Sequence, residues 1–145
     1  MSFQFTLAKV LSVKENEKNQ SEIDYRKAFE AFEKVAQLLH EFLNQKEVLQ
    51  QKQQDGLLKG TSIVGIRQLQ NEMEGLQKKI DHFEELYFQA REVTEQKKNT
   101  LLEQSIDVKR YEKLKENEYG VYLKKNKAVE KSQLDEISTI RHLQQ

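Results

Sequence analysis

A 3-4 spacing of apolar residues runs through most of the chain, and it restricts the fold more than any other feature. Between residues 7 and 53 it collects Leu7, Leu11, Tyr25, Ala28, Phe32, Val35, Leu39, Phe42 and Leu49, nine of fourteen positions. Between 66 and 111 it collects Ile66, Leu69, Met73, Leu76, Ile80, Phe83, Tyr87, Ala90, Leu101, Val108 and Tyr111, eleven of fourteen, with Thr94, Lys97 and Gln104 as the exceptions. In a chain that is 37% hydrophobic, chance would supply about five in each set. A seam repeating every 3.5 residues winds two helices into a left-handed supercoil.

Composition points the same way. The 145 residues contain no Pro and only five Gly, so the chain lacks the punctuation of a many-turned globule. Three of the glycines fall between residues 55 and 65, where the two seams meet. The spacing therefore predicts an all-α fold, with two long helices in an antiparallel coiled-coil hairpin. The first helix is expected at about 4–54, the turn at about 55–62 and the second helix at about 62–140. Residues 1–145 would then form a single coiled-coil unit. At 1.5 Å per residue the helices would be roughly 75 and 115 Å long.

Gly56 is the expected left-handed cap of the first helix, and Thr61 or Ser62 the N-cap of the second. A turn centred near residue 58 would place position i opposite roughly 117 minus i. Lys14, Lys18 and Ser21 would then meet the region of Lys97 and Gln104 in a polar waist. That waist reads as a register-fixing layer or as a site of flexibility.

The second helix is expected to outlast the first and to lack a partner beyond about residue 113. There the phase slips by three, as in a stammer, giving Leu114, Val121 and Ala128. Leu134, Ile137, Ile140 and Leu143 continue the apolar stripe. Another protein, a second copy of the chain or a disordered tail would each account for it. Tyr119 and Tyr122 are candidate interface anchors, since aromatics on an overhang often fill partner pockets.

Several classes of function are disfavoured. Lys+Arg and Asp+Glu number 24 each, so no basic excess is available to displace counterions from nucleic acid. Without cysteine there are no disulfides or thiolate metal sites, which fits a reducing compartment. His40, His82 and His142 show no i, i+4 pairing, no Gly-rich phosphate loop is present, and no cofactor is expected. A two-helix rod offers no cleft in which a carboxylate pair could be desolvated, so an enzyme is not expected. Residues 1–13 alternate apolar with polar and lack a signal peptide's continuous apolar stretch. No apolar run approaches the roughly 20 residues needed to cross a bilayer, so direct membrane insertion is not expected either. These features together predict a cytoplasmic protein that works by binding other proteins.

Four features carry a family resemblance. They are the opening Phe3-x-Phe5-x-Leu7-x2-Val10-Leu11 with Lys14-Glu15-x-Glu17, the glycine-bearing turn near residue 60, the segment Val108 to Lys115, and Leu134-Asp135-Glu136. In these the chain resembles the FliJ family of the bacterial flagellar export apparatus. The resemblance implies a non-enzymatic stalk whose termini-bearing end enters the ring of the export ATPase FliI, while another region contacts the export gate protein FlhA. It also implies a chaperone-escort role in flagellum assembly, contact with export chaperones, and a peripheral location on the cytoplasmic side of the cell membrane through these partners. On this chain the ATPase-facing residues would be Phe5, Leu7, Val10, Leu11, Leu114, Val121 and Tyr122. The gate-facing residues would be Phe42, Leu49 and Leu76, with Gln45 where some members carry an aromatic. The rival readings are the related stalk of a virulence-type secretion system and a generic coiled-coil spacer or dimerisation module.

Overall fold

The computed structural model describes residues 2–60 and 62–144. The chain is all-α, with helix α1 at Ala8–Lys59 and helix α2 at Ile63–Leu143. Glu, Lys, Gln and Leu fill both helices, and each loses little side-chain freedom in a helical backbone. Contacts divide the chain into two units. Unit 1 comprises Met1–Gln20 with Leu102–Gln145, and unit 2 is Ser21–Leu101. In each unit α1 and α2 run antiparallel.

Unit 2 contains the turn. Gly56 does not cap α1, which continues through Leu57 and Leu58 to Lys59. The left-handed residue is Gly60, with φ of 75°. A helix tolerates an interior glycine at a cost of about 1 kcal/mol, and the Leu-Leu-Lys that follows propagates it well. Ser62 caps α2: its hydroxyl accepts from the Gly65 N–H at 3.2 Å and its carbonyl from the Ile66 N–H at 3.1 Å. Thr61, the alternative cap, lies outside the described residues. Because the turn falls later than expected, position i faces about 122 minus i instead of 117 minus i, as Thr94 against Ala28 illustrates.

The seam of unit 2 is dominated by aromatic pairs between the helices. Phe42 meets Phe83 with ring centroids 5.1 Å apart, and Phe32 meets Tyr87 at 5.0 Å. Leu76 is buried, and Ile80 is the most enclosed large side chain at 1% exposure. Thr94, an exception in the apolar pattern, is buried as well. Its hydroxyl lies 2.7 Å from the Ala90 carbonyl of its own helix and 3.3 Å from the Ala28 carbonyl of α1. Bonding back to the preceding turn lets threonine occupy an apolar seam without an unsatisfied donor. The positions expected to form one polar waist differ in environment: Ser21 is buried, Lys97 exposed, and Lys14, Lys18 and Gln104 half-buried.

Unit 1 is built differently. Residues 2–5 are non-helical and Thr6 and Leu7 form a turn, so the first helix begins four residues later than expected. The Ala8 N–H donates to the Phe5 carbonyl at 3.2 Å, closing that turn. Phe5, Leu11 and Val108 form the buried core, with Phe3 and Tyr111 packed against it. A helical backbone starting at residue 4 would sweep Phe3 and Phe5 around the helix axis, whereas the non-helical segment carries both rings onto α2.

Candidate protein-docking surfaces

The expectation that α2 lacks a partner beyond about residue 113 needs correction, and so does the predicted slip in phase. Phe3 packs on Tyr119 with centroids 5.1 Å apart and on Tyr122 at 5.4 Å, while Tyr119 and Tyr122 stack at 6.3 Å. The Glu118 carboxylate accepts from the Thr6 hydroxyl at 2.6 Å and from the Thr6 N–H at 3.2 Å. The seam thus continues its 3-4 spacing from Tyr111 to Glu118 and Tyr122, both half-buried. The first turn of α1 carries no acidic residue of its own. Glu118 places a negative charge beside the positive end of the helix dipole, an arrangement that stabilises a helix start.

These contacts sort the residues expected at the terminal end. Phe5 and Leu11 belong to the core and Tyr122 is partly covered by Phe3. Leu7 and Val10 are exposed. Leu114 and Val121 lie off the continuing seam and are 49% and 52% exposed. Phe3, Glu118 and Tyr119 shape this surface as much as any of them. The sequence carried one cue to their role, the alternation Phe3-x-Phe5, which suits an extended segment with apolar side chains and is not a helical spacing. From Leu123 to Gln144 every described residue is exposed, so the overhang begins about ten residues later than expected.

The three residues expected to face the gate lie in unit 2. Phe42 is half-buried against Phe83, with the Lys79 ammonium 5.8 Å from its ring centroid. Leu49 and Leu76 line an open groove of about 410 Å³ together with Val48, Gly75 and Lys79. A Cβ added at Gly75 would meet nothing within 4 Å. The helix-to-helix packing of this chain therefore does not require glycine there. Around the turn Leu57, Leu58, Ile63 and Val64 stand exposed, an apolar group that lies off the 3-4 spacing.

Among the described residues no group of three or more His, Cys, Asp or Glu side chains is placed to hold a metal ion. Nor, among those residues, is any helix long and apolar enough to cross a membrane.

The sequence model of the flagellar FliJ protein family matches residues 3–145. The chain belongs to the FliJ family. The flagellar FliJ protein of Bacillus subtilis (strain 168) is 36% identical to it over 138 residues, covering 95% of this chain and 94% of that protein. A solved structure of a YscO homologue from Chlamydia trachomatis shares the fold, with a TM-score of 0.69 over 97% of this chain and 96% of that one, at 17% identity. As a FliJ-family member the chain is a component of flagellar protein export, in a family that is not enzymatic.

Proposed function

We propose that this FliJ-family chain is a docking component of flagellar export that acts through binding alone. It engages the FliI ATPase ring through unit 1 and the FlhA gate through unit 2. It escorts export chaperones and is cytoplasmic, reaching the membrane through its protein partners.

One observation carries most of the reading. Leu114 and Val121 stay half exposed while Tyr111, Glu118 and Tyr122, on the neighbouring face of the same helix, are covered by the chain's own N-terminal segment. Large aliphatic side chains left open beside a covered seam form an apolar patch of the kind a protein partner covers. For the gate, the Gly75 groove with Leu49 and Leu76 offers a place where a partner could approach the α2 backbone closely. The identity to the Bacillus FliJ protein favours the flagellar system over a virulence-type one, because the likeness to the YscO homologue is one of fold.

Retention of purified FliI on the immobilised chain tests the ATPase contact. Leu114→Asp or Val121→Asp should weaken binding at least tenfold, a loss of roughly 1.4 kcal/mol or more. Both sites are exposed, so stability should move by no more than about 0.5 kcal/mol. Unchanged retention with unchanged circular dichroism would remove this face from the ATPase contact. A chain that neither retains FliI nor alters its ATP turnover would be a spacer.

A further inference from the structure

Phe3, Leu11 and Tyr119 floor an open groove of about 450 Å³ in unit 1. Its rim carries Glu15, Glu112, Glu116 and a single cation, Lys115. We propose that this groove receives an arginine side chain of a partner protein, its stem on the apolar floor and its guanidinium between the Tyr119 ring and the rim carboxylates. The inference rests on reading unit 1 as a docking end and adds the chemistry that the partner must present.

The floor and rim together select this occupant. Leu11 is buried and Phe3 half-buried, so the floor is apolar and already ordered by the chain's own packing. That suits the methylene stem of a long cationic side chain. Tyr119 is 45% exposed even with Phe3 at 5.1 Å and Tyr122 stacked at 6.3 Å, so the part of the ring that these neighbours leave open is what a cation would meet. The groove is lined by three carboxylate residues and one lysine, and among the described residues none of the four takes part in an ion pair. A purely apolar side chain would desolvate those carboxylates without compensation. Phosphate, whether of nucleic acid or of a lipid headgroup, would be repelled by the rim. Lysine satisfies the charge, but its compact, strongly hydrated ammonium does not stack, whereas a planar guanidinium can stack and donate in pairs.

The test uses the full-length chain, labelled for NMR, and acetyl-Leu-Arg-Leu-amide as the probe. Saturable shifts should centre on Phe3, Leu11 and Tyr119. The same peptide with citrulline in place of arginine, isosteric but uncharged, should bind about fivefold more weakly. The double substitution Glu112→Gln with Glu116→Gln should weaken the arginine peptide by a similar factor, while Lys115→Gln should tighten it about twofold. Misfolding cannot imitate that last gain. Equal binding of the two peptides, shifts scattered over the acidic surface, or no gain with Lys115→Gln would overturn the proposal.

Retention of FliI by the same variants separates the two readings. Peptide recognition that holds while ATPase binding is unaffected by the carboxylate changes would support the arginine groove and take FliI away from it. Failed peptide recognition with intact, Leu114-dependent ATPase binding would do the reverse.

Discussion

The two units solve one problem, burying a thin apolar stripe, by different means. Unit 2 does it with a local hairpin whose aromatic pairs, Phe32 with Tyr87 and Phe42 with Phe83, join helices linked by a short turn. Unit 1 joins the two ends of the chain and has no turn to hold them together. It compensates with a non-helical clasp, in which Phe3 and Phe5 cover α2 and Thr6 bonds Glu118 across 112 residues of sequence. Closing a long loop costs more entropy than closing a short one, although the cost grows only logarithmically. The difference predicts that the terminal unit depends on a few residues, chiefly those of the clasp, and can open while the hairpin unit holds.

Substitutions can break or sharpen that contrast. Ile80→Ala should have the largest effect, about 3 kcal/mol, because a fully enclosed side chain leaves a cavity that a two-helix seam can only partly fill. Denaturant titration of the whole chain would report it. Phe5→Ala should cost about 2 kcal/mol and act locally. Hydrogen exchange should speed up between residues 8 and 20 while the amides of 21–59 keep their protection. Equal acceleration on both sides of residue 20 would mean that the units do not open separately.

Glu118→Ala should cost about 1 kcal/mol by removing the clasp's acceptor and the charge at the start of α1. Its effect should shrink in 1 M salt, which a loss of packing would not. Gly75→Ala and Gly120→Ala should each stabilise the chain by about 0.7 kcal/mol. Neither added Cβ meets an atom within 4 Å, so the gain should be alike in the two units. A stabilised Gly75→Ala chain that had lost FlhA binding would locate the gate contact in the Gly75 groove.

Legibility differed between the units for a physical reason. In unit 2 the structure covers the seam positions read from spacing alone except Lys97, and this includes Thr94, whose polarity looked like an interruption. Spacing reports which face of a helix is shared, and a hydroxyl bonded to its own preceding turn can sit on that face. In unit 1 hydrophobicity misled beyond Tyr111, where the 3-4 spacing itself continues. Leu114 and Val121 are the more hydrophobic residues, yet Glu118 and Tyr122 are the ones covered, because the clasp sits over them. No pattern within α2 announces what the other end of the chain will do.

The chain by itself settled the class of fold and most of the seam between residues 11 and 111, since a 3.5-residue repeat is helix geometry written locally in residue order. Its glycines marked the region of the turn, but the residue expected to take the left-handed backbone, Gly56, is not the one that does. Only the packed helices selected Gly60, and with it the register of every facing pair. The same holds for the clasp: Thr6 and Glu118 meet because the tertiary fold brings them together, and a contact between residues so far apart in sequence leaves no periodic trace.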